Sequence, residues 1–269
     1  LPLFENDPYT ISSCETSRSF FAQMNYSTEA LQDDNVRAAI ASAIDKDNFT
    51  SVLLDGNGTP AVGPFPASFT FGDETVTDET YDPDHAKELL KEAGWTDTDG
   101  DGYVDKNGQK LTIRWVTYPS RQELPLLAES VQATMKNIGI DIQVNSTANY
   151  QDYLDKGDWD IFAGAFVSAP TGDPEYFFTT HCLDSSTKNR GGYHSDQLEA
   201  LEQQMAVTFD PTERATLATQ MTQTILDDHA FAFASHLKMS WYPEKESVVW
   251  WHTRLITMKS LLIWIKNKK

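Results

Sequence analysis

The chain has 269 residues, enough for one large α/β unit or two small ones. Its 40 Asp and Glu outnumber 21 Lys and Arg, and the formal net charge of -19 excludes sequence-independent nucleic-acid binding and docking on an anionic membrane surface. Hydrophobic residues make up 40% and aromatic ones 12%, ample for a packed core, so wholesale disorder is excluded too. Two cysteines, Cys14 and Cys182, rule out a disulfide scaffold and a cysteine-only metal site. They allow one bridge at most and are read as free thiols. No apolar run reaches the roughly 18 residues of a transmembrane helix, since Lys259 interrupts the tail 255–269. LPLFENDPYT at the start has neither the basic flank nor the apolar stretch of a signal peptide.

Helical and extended patterns alternate from about residue 31. NVRAAIASAIDKDNFTSVLL spaces Val36, Ile40, Ala43, Ile44 and Phe49 as a helix does, with Asp34 or Asn35 as N-cap. After a Gly/Pro-rich connection over 56–74, DPDHAKELLKEAGW (82–95) predicts a helix capped by Asp82, begun at Pro83 and ended at Gly94. A turn and short hairpin over 96–110 lead into the strand LTIRWVTY (111–118), a helix over 124–139 and the strand IDIQVNST (140–147). Strand, helix and strand with short connections form a βαβ unit of a parallel pair. A short helix at 150–157 precedes WDIFAGAFV (159–167), apolar on both faces as a central parallel strand is. The loop SAPTGDP, a helix at EYFFTT, two further helices and a final strand over 230–242 complete the pattern.

No GxSxG, Walker-type, GxGxxG or HExxH pattern occurs, so hydrolase, nucleotide-binding and zinc-protease readings have no motif behind them. A hydrolase built on some carboxylate pair remains the alternative of a different class. Asp97, Asp99, Asp101 and Asp105 have the alternate spacing of a calcium loop, with Gly102 at its turn, but Gly108 stands where the bidentate Glu belongs. A solvated turn is the plainer reading, and calcium at Asp97, Asp99 and Asp101 is a secondary alternative. Asp173 and Pro174 read as the cap and first turn of the EYFFTT helix. Ligands of open α/β sheets collect outside the carboxyl ends of the strands. That places Tyr118 and Arg121 after one strand, and the SAPTGDP loop after the other, at the expected site. An Arg there suits a carboxylate or phosphate.

The order of NVRAAIASAIDKDNF, YDPDHAKELLKEAGWTDTDGDGYVDKNGQKLTIRWVTYPSR, LAESVQATMKNIGIDIQV and GDWDIFAGAFVSAPTGDPEYFF resembles the peptide-, opine- and nickel-binding solute-binding proteins of ABC importers. The resemblance runs from about residue 20 to 245 and covers the family's C-terminal half. It implies an α/β lobe of the type II periplasmic-binding-protein fold, with a mixed, mostly parallel sheet flanked by helices. The implied division is a hinge-proximal segment 1–30, a ligand-binding lobe 31–245, and a tail 246–269 heading toward a lobe absent from this chain. It further implies a non-enzymatic, monomeric, extracytoplasmic binding protein, in the periplasm or as a cell-surface lipoprotein, that hands its cargo to an ABC permease and needs no resident cofactor.

In this family the specificity segment corresponds to Phe166–Tyr176. Peptide binders carry an Asp shortly before the GDP-like turn to pair with the peptide amine; here Ser168, Ala169, Pro170 and Thr171 stand instead. The wording APTGDPEYFF is closer to the nickel or metal-chelate branch, in which a histidine after the turn touches the metal, and His181 takes that place. The implied ligand set is Tyr118, Arg121, Phe166, Val167, Ser168, Pro170, Thr171, Tyr176, Arg190 and Tyr193, with His181 on the metal. The expected cargo is nickel or a metal chelate, with an oligopeptide or dipeptide as the alternative.

Overall fold

Local capping decides several elements before any packing is considered. Asp82 accepts hydrogen bonds from the backbone N–H groups of Asp84 and His85 (3.1 and 3.0 Å), Pro83 takes the first helical position, and the helix Pro83–Glu92 follows. Gly94 ends this stretch at a φ of 82°, a left-handed conformation that a side chain disfavours. The computed structural model describes residues 12–241; the tail 246–269, with Trp250, Trp251 and Trp264, lies outside them.

In chain order the main elements are β1 (Ser12–Met24), α1 (Asp34–Ser42), α2 (Lys46–Asn48), β2 (Gly58–Pro60) and α3 (Pro83–Glu92). Next come the hairpin β3 (Asp105–Lys106) and β4 (Gln109–Lys110), then β5 (Thr112–Thr117), α4 (Glu123–Asn137), β6 (Asp141–Ser146), α5 (Tyr150–Lys156) and β7 (Ile161–Val167). The chain continues through α6 (Glu175–His181), α7 (Asp196–Met205), α8 (Pro211–Asp227) and β8 (Phe231–Trp241). One mixed sheet has the order β2-β8-β1-β7-β5-β6. The parallel pair β5 with β6 is that of the expected βαβ unit, β7 adds a second parallel pair with β5, and the β2-β8-β1-β7 pairs are antiparallel.

Side chains alternate across the sheet with the period of two that strands impose. Phe20, Ala22 and Met24 of β1 join Ile113 and Trp115 of β5 on one face, covered by α1, α3 and α4. Phe21, Phe231 and Phe233 point to the other face, into a cluster closed by α6, α7 and α8. Both faces are therefore buried, as the α/β class requires.

Two expectations change. The helix expected from Asn35 to Leu54 is broken: α1 starts after Asp33, which caps it through Asn35 N–H, and ends at Ser42. Asp45 then caps α2, and a wide π turn carries Phe49–Leu53, so two side-chain caps compete with the continuous apolar spacing. The segment 12–24 is a strand in the middle of the sheet, where Phe20 and Met24 are fully buried. Cys14 and Cys182 are both free thiols, the latter buried, which raises its pKa well above the usual thiol range.

Candidate functional site

Because β5 and β7 run parallel, their carboxyl ends open on the same edge of the sheet. After β5, Tyr118 is held by its hydroxyl, which accepts Ala165 N–H at 3.1 Å, and its ring lies 4.8 Å from that of Tyr150. Burial raises its pKa, so the phenol stays protonated. Arg121 is exposed and takes part in no ion pair among the described residues.

At the end of β7, the ring of Phe166 stacks on the exposed Tyr176 (5.5 Å, 12°), and Lys188 Nζ sits 4.1 Å above the Phe166 ring. Arg190 lies 5.4 Å from the ring centre of Phe162, its Nη2 donating to Gln151 Oε1 at 3.3 Å. Val167 is half-buried and opposes Arg18 across the β1–β7 pair. Pro170 is half-buried and Thr171 exposed on the loop beyond. These residues form an aromatic and cationic strip along one edge.

Three expected ligand contacts come out differently. Ser168 is fully buried, and both its N–H and its hydroxyl donate to the Ser17 carbonyl (2.7 and 3.1 Å), so it ties the loop to β1. Tyr193 is 2% exposed and donates its hydroxyl to Asp228 Oδ2 at 2.5 Å, beside the Tyr26 ring. A buried phenol needs such a partner, and the nearest one faces the core. His181 is also buried, its ring stacked on Phe177 at 5.0 Å and met edge-on by Phe166 and Phe21 (4.3 and 5.5 Å). Its Nδ1 has no hydrogen-bond partner. Desolvation, and then the Lys188 charge, push its pKa down to about 3, so the imidazole is neutral at physiological pH.

That shift has a consequence for stability. An unfolded histidine titrates near about 6.5, so between that pH and about 3 the unfolded chain binds a proton that the folded chain refuses. The contribution is complete above the unfolded value and is lost as the pH falls. Urea unfolding at pH 7 and pH 4.5 is expected to show His181→Phe losing about 2 kcal/mol less than the parent chain between the two conditions.

α6 starts one residue later than expected, with Pro174 rather than Asp173 at its N-cap. Asp173 still accepts Glu175 N–H at the helix entry (2.9 Å), and it also pairs with Arg214 at 2.7 Å. In the 96–110 hairpin, carboxylate oxygens of Asp97, Asp99 and Asp105 lie within 4.8 Å of one another, whereas Asp101 pairs with Lys110 at 2.9 Å. The triad thus contains Asp105 in place of the expected Asp101. Asp97 already accepts the N–H groups of Gly100 and Gly102, bonds that close the turn by themselves.

Arg18, Lys188 and Tyr150 escaped sequence reasoning. Arg18 belongs to the unread β1, and Lys188 sits in a polar loop where only its two-residue spacing from Arg190 marks it. A cavity of about 400 Å³, bordered by Asn25, Arg114, Trp159, Asp160 and Arg190, lies toward the opposite end of β7 and shares only Arg190 with the strip.

The chain is thus an α/β lobe whose sheet is covered on both faces and whose parallel strand ends carry the aromatic and cationic strip. The chain belongs to the bacterial extracellular solute-binding proteins, family 5 (Middle), whose family profile matches residues 2–189. Among curated relatives, the oligopeptide-binding protein AppA of Bacillus subtilis is 28% identical over 217 residues, 78% of this chain and 39% of its own length. The nickel-binding protein NikA of Staphylococcus aureus is 28% identical over 189 residues, 70% of this chain and 36% of its own. The chain thus spans well under half the length of these relatives. The crystal structure of a nickel ABC transporter from Bacillus halodurans superposes with a TM-score of 0.82 at 26% identity, over 94% of this chain and 53% of that one. The expected α/β type II periplasmic-binding-protein architecture is the one observed, and these relatives are binding proteins.

Proposed function

We propose that this chain is the ligand-binding lobe of an ABC-importer solute-binding protein whose cargo is a metal chelate, nickel being the favoured ion. The observation that carries this reading is the strip along β5 and β7, where the rings of Phe166 and Tyr176 stack beside Lys188, and Arg190 lies over Phe162. In it Arg18, Arg121 and Arg190 are arginines with no acid within ion-pair distance among the described residues. A chelator's carboxylates suit such arginines, and its carbon skeleton suits the rings. A peptide's free amine would instead call for a carboxylate, and the segment 166–171 supplies none.

His181 is neutral, the form in which imidazole binds nickel. As placed, the Phe166 ring lies against it, so a metal contact requires that ring to turn aside. The reading extends to delivery to a permease, to extracytoplasmic residence and to a monomeric state, for which the family membership is the support. Among the described residues no helix is long and apolar enough to cross a membrane. Native mass spectrometry of the protein from its own host is expected to reveal a retained metal with a small polycarboxylate or amino-acid chelator. A co-purified peptide without metal would establish the oligopeptide alternative.

A further inference from the structure

Elsewhere among the described residues, cations that leave water find a polar partner: half-buried Lys238 donates to the Gly56 carbonyl at 3.2 Å, and three others find an acid. Lys46 pairs with Asp78 at 2.7 Å, Arg37 with Asp34 at 2.8 Å, and Arg214 with both Asp173 and Glu175 at 2.7 Å. Their side chains are only 7–15% exposed, so burial and pairing go together, as desolvation demands.

At the cleft edge this rule fails. Arg18, Lys188 and Arg190 are half-buried, and Arg121 stands beside Arg18. None of the four has a carboxylate within ion-pair distance among the described residues, although the chain holds 40 acids. Glu123 acts on Arg18, and Asp155 on Arg190, only from beyond that distance. The cations also repel one another: Arg121 disfavours the charge on Arg18, and Arg190 that on Lys188. Tyr118 lies within electrostatic reach of both Arg18 and Arg190, and Arg18 stands opposite Val167 at the end of β7, so the two pairs lie along one edge. In so acidic a protein a run of half-buried cations without counter-charge is a cost to folding that a bound anion would offset.

We propose that the cleft selects a cargo that is a net anion of at least two negative charges, with Lys188 and Arg18 setting that preference. This rests on the metal-chelate reading and narrows it: a neutral or cationic complex would leave the strip uncompensated. Lys188 is placed for the task because its ammonium lies over the Phe166 ring, so a carboxylate at the rim of a ligand packed on that ring meets it directly. Burial lowers the pKa of Lys188, Arg18 and Arg190, and an anion would raise each again.

Isothermal titration of the 269-residue chain with the neutral nickel bis-histidine complex, the monoanionic nickel nitrilotriacetate and the dianionic nickel EDTA complex tests this. Citrate without metal serves as a further probe. Affinity is expected to rise along the charge series, with the dianion about tenfold tighter than the neutral complex and more sensitive to salt. Lys188→Met and Arg18→Gln, each checked for native circular dichroism, are expected to shrink that preference about tenfold, and Lys188→Arg to restore much of it. Equal or tighter binding of the neutral complex, an unchanged preference in both variants, or no binding of any probe at millimolar concentration would overturn the proposal. Citrate binding as tightly as nickel EDTA would sink the metal reading and leave the preference for anions standing. Binding of all nickel complexes regardless of charge would do the reverse.

Discussion

Phe177→Ala is expected to cost about 4 kcal/mol of stability, the largest effect of any single substitution considered. Its ring is fully buried at the centre of the aromatic cluster, with the rings of Phe21, Phe65, Phe178, Phe231, Phe233 and His181 centred 5.0–6.1 Å away. Those neighbours come from β1, α6, β8 and the Gly/Pro-rich connection, and they cannot all collapse into the space one ring leaves. Lost transfer energy and cavity energy therefore add. Phe177→Leu keeps most of the volume and is expected to cost about 1.5 kcal/mol. Denaturant midpoints of the two variants give the comparison, and equal midpoints would contradict this view of the core. A functional effect should accompany the loss, because α6 also holds Tyr176 against Phe166. Cargo affinity is expected to fall in the alanine variant under conditions where it is still folded.

Asp160→Ala is expected to cost about 3 kcal/mol. This carboxylate is 4% exposed and accepts Arg114 N–H, Nε and Nη2 at 2.7, 3.0 and 2.7 Å, together with the Thr28 hydroxyl at 2.8 Å. It thereby ties β5, the entry to β7 and the turn after β1, at the amino-terminal end of β7. Removing it strands several donors at once, and only the guanidinium, 44% exposed, can turn to water. Asp160→Asn keeps the shape but offers a single acceptor oxygen, so its loss should be about half as large. A denaturation series that ranks asparagine below alanine in stability would refute this account.

Elements with their stop and start signals within a few residues were legible from the sequence. Asp82, Pro83 and Gly94 delimit α3 by caps that depend on local backbone alone, and the β5–α4–β6 unit follows from period and length. The mainly apolar run WDIFAGAFV marks β7 as an interior strand. Family membership was legible for the same reason, since the ordered motifs are local patterns.

What depended on distant partners was not legible. SSCETSRSFFAQM has no clean alternation, because Phe20 and Phe21 serve opposite faces, and it becomes a central strand only by pairing with β7 and β8, more than 130 residues away. Hence Arg18 was invisible as a neighbour of the β7 carboxyl end. Ser168 and Tyr193 carry the chemistry of ligand contacts, but the Ser17 carbonyl and the Asp228 carboxylate claim them from other elements. Asp101 is drawn from its acidic neighbours by Lys110, across the hairpin. The sequence by itself determined the locally capped helices such as α3, the βαβ unit, the family and the residue types at the strand ends. Tertiary structure alone decided which of those side chains stay at the sheet edge and which turn into the core, because a polar group turns toward whichever partner the fold brings within hydrogen-bond reach.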